Sequence, residues 1–113
     1  MKLYYKKKLE KLKSKNTGNT KLIREIDELI GDIEQSHWKN PQELIKARPD
    51  ADCVHSKGFY FFNIRIHRTL ILIEFDEDQK ALVIWAGTHQ EYEKIFKNNR
   101  RTIDKWLRDN DWI

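Results

Sequence analysis

The chain has 113 residues, of which 39% are hydrophobic and 35% are charged. This length is typical of one domain, and the hydrophobic share is too high for a disordered segment. Its single cysteine, Cys53, excludes an internal disulfide and argues against a cysteine-based zinc site. No apolar segment follows the N-terminal lysines, and the longest apolar stretch, residues 70–73, is far too short to span a membrane. We therefore expect a cytoplasmic protein without a membrane segment.

The formal net charge is +4, and it is unevenly distributed. Residues 1–21 carry eight lysines and a single acid, Glu10, and residues 56–75 and 97–113 are also net basic. Separate basic regions suit a polyanionic partner such as nucleic acid. A solvated lysine-rich helix face would produce the same pattern, so charge alone leaves both interpretations open.

Three helices are predicted in the first half of the chain. Apolar residues at helical spacing among lysines predict a basic N-terminal helix within residues 1–15. Thr20 is positioned to cap a second helix, and Asn40 to cap a third helix that begins with Pro41 and ends before Pro49. The second helix has one apolar face, formed by Leu22, Ile26, Leu29, Ile30 and Ile33.

The second half begins with strands. Residues 58–66 and 69–75 are rich in aromatic and β-branched residues and predict two strands joined by a tight turn near His67. Residues 80–87 predict a third strand. Three consecutive strands with short connections indicate an antiparallel meander.

Two more helices are predicted after the strands. Thr88 and Glu91 have capping-box spacing, and residues 99–109 form a last helix within a C-terminal helical extension over residues 97–113. Helices, a meander and further helices, in that order, predict a single α+β domain over residues 1–113.

Three segments resemble the HigB toxins of the RelE superfamily, which belong to type II toxin–antitoxin pairs. They are residues 59–65, residues 68–71 and residues 85–96, the last containing the run Thr-His-Gln-Glu-Tyr from Thr88 to Tyr92. Weaker similarity extends back to Leu22. The connection between the two resembling strands is shorter here than in most relatives.

The resemblance implies a RelE-like fold with helices packed on a small antiparallel sheet. It implies a metal-independent, ribosome-dependent mRNA endoribonuclease that inhibits translation and needs no cofactor. It also implies a cognate HigA-like helix-turn-helix antitoxin as protein partner, with mRNA and the ribosome as further partners. A non-catalytic RNA- or ribosome-binding module of the same fold is the alternative, and a purely structural partner is a more distant one.

Two arginines are candidates for stabilising the transition state. Metal-free RNA cleavage needs a base for the 2′-hydroxyl, cations for the phosphate and an acid for the leaving oxygen. Arg68 matches the arginine that opens the corresponding strand in the family, and Arg65 matches a basic strand position. A strand period of two places Arg65 on the same face as Asn63. Both arginines would also fit an exposed hairpin without function.

The candidates for proton transfer are His89, His67 and Tyr92. His89 would lie at a helix N-terminus, which favours the neutral imidazole, or it would only organise the cap. His67 would serve as the base if its side chain pointed into the same cleft. Tyr92 matches the family tyrosine and would stack on a base, act as the acid, or simply pack on the sheet.

Contacts to RNA are predicted for a set of basic and polar residues, namely Lys6, Lys7, Lys8, Lys11, Lys57, Asn63, Lys94 and Lys97. Lone helix lysines are more often solvated than bound to a ligand. No spacing of histidine, cysteine or carboxylate residues resembles a metal site, so none is predicted.

Overall fold

The computed structural model describes all residues from Met1 to Ile113. It confirms the α+β class, with five helices and five strands. The elements in chain order are β1 (Lys2–Tyr4), α1 (Lys7–Lys15), α2 (Thr20–Glu34), α3 (Pro41–Ala47), β2 (Asp52–His55), β3 (Phe59–Ile64), β4 (His67–Glu74), β5 (Lys80–Thr88), α4 (His89–Phe96) and α5 (Arg100–Asp109). None of the helices has both the length and the apolar character that crossing a membrane requires.

The five strands form one mixed sheet in the order β1-β5-β4-β3-β2. Strands β3, β4 and β5 make the predicted antiparallel meander. The sheet is not purely antiparallel, because β1 pairs with β5 in parallel, and β2 adds a second unpredicted edge strand. The predicted N-terminal helix within residues 1–15 is present as α1, but its start was wrong, because residues 2–4 form β1. Pairing with β5 buries Leu3, and Tyr5, at φ 63°, separates the strand from α1.

The sheet is covered by helices on both faces. Alternate residues of β3 point in opposite directions, so Phe62 packs towards α1, α2 and α3, while Phe61 packs towards α4 and α5. A strand covered on both sides has no polar face, which explains why the apolar residues of β3 and β4 do not alternate with polar ones.

The hairpin between β3 and β4 has a two-residue turn. Ile64 pairs with His67 and Asn63 with Arg68, so Arg65 and Ile66 make the turn and His67 is the first residue of β4. The predicted turn near His67 was therefore displaced by about a residue. This register places Asn63 and Arg68 side by side on the face that α4 and α5 cover.

Side chains cap the helices that follow loops. Thr88 accepts a hydrogen bond from the Glu91 N–H, and the Glu91 carboxylate accepts one from the Thr88 N–H, which confirms the predicted capping box. Asn40 caps α3 as predicted. The cap of α2 is Asn19 and not Thr20, because the Asn19 side chain accepts from the N–H three residues on.

Candidate functional site

An open depression of about 400 Å³ lies where the β3–β4 hairpin meets the first turn of α4. Its walls come from the ends of two strands, one helix and the turn after that helix. The six lining residues are Asn63, Arg68, His89, Tyr92, Glu93 and Asn98. Four of them were predicted from the sequence, and Glu93 and Asn98 were not.

Arg68 is held in the depression by an amide and by aromatic rings. Its Nε donates a hydrogen bond of 3.0 Å to Oδ1 of Asn63, the residue directly opposite on β3. Its guanidinium carbon lies 4.4 Å from the ring centroid of Tyr92 and 5.2 Å from that of Phe61. No carboxylate lies within ion-pair distance of this guanidinium in the structure. The two terminal nitrogens are thus available for a planar, bidentate contact with a phosphate.

Asn63 is held in place by a hydrogen bond from its backbone N–H. The Asn63 N–H donates to a carboxylate oxygen of Asp50 over 3.0 Å, and a terminal nitrogen of Arg48 holds that carboxylate at 2.8 Å. The end of β3 is tied in this way to the loop before β2. Because its Oδ1 accepts from Arg68, Asn63 orients this arginine, and its exposed amide nitrogen can still donate to a ligand.

Tyr92 is part of the core beneath the depression. The residue is 1% exposed, and its ring meets Phe61 edge-on with centroids 4.9 Å apart. Its hydroxyl donates a hydrogen bond of 2.8 Å to Oδ1 of Asn98. Burial raises the pKa of Tyr92, and the positive charge of Arg68 opposes that shift. The idea that Tyr92 stacks directly on a base was wrong, because the ring is buried and Arg68 covers it.

Asn98 reaches Tyr92 because the chain turns sharply after α4. Lys97 and Asn98 both adopt left-handed backbone angles, with φ of 55° and 47°. Asparagine tolerates this conformation better than most residues. The only sequence signal for this role is an asparagine pair directly after a helix, which also predicts a cap for the next helix.

His89 stands at the rim with its side chain 57% exposed. As the first residue of α4, it is tied to the hairpin turn by a 2.7 Å hydrogen bond from its N–H to the carbonyl of Ile66. Its Nε2 lies 3.3 Å from Oε1 of Glu93, one helical turn further on. A neutral imidazole has one nitrogen that donates and one that accepts, so the exposed His89 can exchange a proton with a group in the depression.

Two predicted site residues lie elsewhere. Arg65 occupies the hairpin turn at φ 56°, beyond the end of β3, and its guanidinium is 3.7 Å from the Glu25 carboxylate of α2. The prediction that Arg65 shares a strand face with Asn63 was therefore wrong. His67 is 4% exposed and points to the α1–α3 side of the sheet, away from Arg68. Burial lowers the pKa of His67, while the charge of Glu91 opposes this shift.

The predicted RNA-contacting lysines fall into separate groups. Lys6 is ion-paired with Glu34 over 3.0 Å, whereas Lys7, Lys8 and Lys11 are exposed on α1 without an ion pair. Lys57 precedes β3, at the opposite end of that strand from Asn63. Lys94 and Lys97 lie in α4 and at its end but do not line the depression. No group of three or more histidine, cysteine or carboxylate side chains is arranged to hold a metal ion.

A family model described as HigB_toxin, the RelE-like toxic component of a toxin–antitoxin system, matches residues 23–95. The match covers 73 of the 113 residues. The chain belongs to the HigB toxin family. No sequence in a search of curated proteins matches it.

Membership of the HigB toxin family confirms the resemblance found in the sequence, and a toxin–antitoxin component implies an antitoxin partner. The matched segment contains five of the six residues that line the depression and leaves out Asn98. It also leaves out β1, α1 and α5, so the lysine-rich helix is a feature of this chain beyond the family match.

Proposed function

We propose that this HigB-family chain is an mRNA endoribonuclease of RelE-like fold that acts on ribosome-bound messages and so inhibits translation. The observation that carries the proposal is the environment of Arg68. Its guanidinium lies in an open depression, oriented by Asn63 and supported by Tyr92, with no carboxylate to neutralise it. An arginine kept unpaired beside an exposed histidine provides a site for a phosphate next to a group that can transfer a proton.

The reaction proposed is an attack of the ribose 2′-oxygen on the adjacent phosphorus. The new P–O bond forms as the bond to the 5′-oxygen of the next nucleotide breaks, which yields a 2′,3′-cyclic phosphate and a 5′-hydroxyl. Negative charge accumulates on the non-bridging oxygens in the transition state. The terminal nitrogens of Arg68 would stabilise two of those oxygens, and such stabilisation is among the largest contributions to catalysis.

His89 is assigned the proton transfer. The carboxylate of Glu93 faces Nε2 at 3.3 Å and favours a proton on that nitrogen, which leaves Nδ1 to accept the proton of the 2′-hydroxyl. Glu93 also stabilises the imidazolium that forms. This imidazolium, or a water molecule in the open depression, then protonates the departing 5′-oxygen.

Tyr92 is assigned a positioning role and not that of the acid. Its hydroxyl proton is directed to Asn98, and burial raises its pKa, so giving up that proton is unfavourable. The ring instead supports the guanidinium of Arg68 from below through a cation–π contact.

The proposal also includes dependence on the ribosome and inhibition by a HigA-like antitoxin, because the family resemblance implies both. The shape of the site is consistent with such dependence. The depression is open and contains one histidine, so an external scaffold that fixes the message would contribute the orientation that the protein lacks.

The test is cleavage of a defined message, read by primer extension, with and without purified ribosomes. We expect the wild-type chain to cut the ribosome-bound message and not the free one, and the rate on ribosomes to be at least about 100-fold lower for Arg68→Ala. Arg24→Ala is the matched control, because Arg24 is an exposed arginine of α2 without an ion pair. Ribosome stalling at a defined position without any cut would favour the non-catalytic binding module instead, and equal rates for the two variants would refute the assignment of Arg68.

A further inference from the structure

A second basic surface lies at the outer edge of the sheet, on α1. Lys8, Lys11 and Lys15 are spaced by three and four residues and therefore lie along one stripe of the helix. All three are exposed and none forms an ion pair, whereas Lys6 and Lys13 of the same segment pair with Glu34 and Asp27 of α2. The stripe thus keeps its charge, whereas Lys6 and Lys13 beside it are paired with acids of α2.

These lysines border a groove of about 210 Å³ whose floor is formed by β5. The residues that line this α1–β5 groove are Lys8, Lys11, Leu12, Lys15, Trp85 and Ala86. Trp85 is partly buried, with its indole packed edge-on against Phe61 and Phe96 on one side. The lining therefore combines three cationic side chains with a tryptophan, a combination typical of surfaces that bind single-stranded nucleic acid.

The groove is adjacent to the candidate site. Arg68 pairs with Gly87, two residues after Trp85 on the same face, so Trp85 and Arg68 occupy diagonal positions about 7–8 Å apart. A Cβ on Gly87 would come within 2.7 Å of the Trp85 ring, which shows that the indole leans along β5 towards the end that pairs with Arg68. The pKa of Glu91, in the first turn of α4, is lowered mainly by the hydrogen bond from the Thr88 N–H, and the charge of Lys15 contributes to the same shift.

We propose that the α1–β5 groove binds the RNA strand next to the nucleotides held at Arg68, with Lys8, Lys11 and Lys15 on successive phosphates and Trp85 against a base. This inference deepens the proposed function, since it names the contact that extends the substrate beyond the depression. An acidic protein segment would also satisfy the lysines. RNA is favoured because Trp85 lines the groove beside the lysines and lies diagonal to Arg68 on the neighbouring strand.

The experiment measures binding of a fluorescent, uncleavable 2′-O-methyl single-stranded RNA across a series of salt concentrations. We expect Lys8→Gln/Lys11→Gln/Lys15→Gln to bind more weakly and to reduce the slope of log K against log salt by about 2, since each phosphate contact contributes about 0.7. Lys21→Gln/Lys46→Gln/Lys105→Gln removes the same charge from exposed lysines of other helices and should leave the slope close to that of the wild type.

Trp85→Phe separates the aromatic contribution from the charge. This variant should weaken RNA binding by at least about threefold without changing the salt slope, because stacking releases no counterions. Trp112→Phe, another partly buried tryptophan that lies outside the groove, is the control and should bind like the wild type.

The inference would be overturned if the two triple variants lost RNA affinity equally. It would also be overturned if the wild type bound no RNA at low salt. Because the probe cannot be cut, this outcome is separate from the proposed cleavage. A chain that cuts messages while both triple variants bind alike would refute the groove alone. If the wild-type chain never cuts a message, but the salt slope of RNA binding is reduced only in the Lys8/Lys11/Lys15 variant, the proposed nuclease activity is refuted. RNA binding by the groove is then still supported.

Discussion

Residues of the same type in and beside the β3–β4 hairpin have different partners on its two sides. Arg65 and Arg68 are three residues apart, yet Arg65 meets the Glu25 carboxylate and Arg68 meets an amide and aromatic rings. Two histidines differ in the same way, since His67 is buried in the core and His89 is exposed at the rim. The comparison teaches that availability for a phosphate or a proton depends on what surrounds a residue, and not on its type or its position in the sequence.

The largest expected effect follows from the pair of arginines. Arg65→Ala should cut ribosome-bound messages at a rate within about threefold of the wild type, because Arg65 lies outside the depression, whereas the Arg68→Ala rate falls at least about 100-fold. That ratio corresponds to about 2 kcal/mol or more of transition-state stabilisation that belongs to Arg68 alone. Both variants are measured in the same primer-extension assay at equal protein concentration.

A comparable loss in the two variants would contradict the distinction between the faces. Arg65 would then have to reach the RNA from the turn, and the placement of the site in the depression would be wrong. Thermal unfolding of both proteins checks that neither rate reflects loss of fold.

The sequence predicted the local structure well where the signal is local. The capping box of Thr88 and Glu91 and the cap at Asn40 involve residues within one helical turn, and their hydrogen bonds are those expected from the spacing. The meander follows from dense β-branched and aromatic residues with short connections. These features require no knowledge of what packs against them.

The errors arose where pairing partners are distant along the chain. β1 forms because β5, nearly eighty residues later, offers an edge, and no three-residue segment among lysines indicates this. The partner of Arg65 comes from α2 and that of Tyr92 from the turn after α4. A shift of about one residue in the predicted turn was enough to move His67 into the strand and Arg65 out of it, which reassigned their surroundings.

A smaller effect is expected for the hydroxyl of Tyr92. Tyr92→Phe keeps the ring beneath Arg68 and removes the hydrogen bond to Asn98, so we expect a loss of about 1 kcal/mol in the free energy of unfolding. The cleavage rate should fall less than about tenfold, since the hydroxyl transfers no proton in the proposed reaction. Urea unfolding and primer extension provide the two measurements.

Asn98→Ala removes the same hydrogen bond from the other side and serves as the matched variant. The two single variants and the double variant should show coupling in stability, because each loses one shared contact. A fall in rate of more than about 100-fold for Tyr92→Phe, with stability unchanged, would return Tyr92 to the role of acid.

The smallest effect concerns His67 on the buried face. Burial lowers the pKa of His67 in the folded protein below its usual value of 6.5, so between these two pKa values the unfolded chain binds a proton that the folded chain does not. The contribution of His67 to the free energy of unfolding is therefore fully present above about pH 6.5. It is lost as the pH falls from there towards the lowered pKa of the folded state. The loss between pH 7.5 and pH 6 should stay below about 1 kcal/mol, and His67→Leu should abolish it.

Urea unfolding of the wild type and of His67→Leu at several pH values between 5 and 8 measures this difference. His37→Gln is the control, because His37 is exposed in the loop before α3 and its replacement should leave the wild-type pH dependence in place. A pH dependence shared by all three proteins would place the acid sensitivity in other groups. It would also show that His67 takes up a proton in the folded state as readily as in the unfolded state. Both faces of the hairpin would then carry a positive charge at acidic pH.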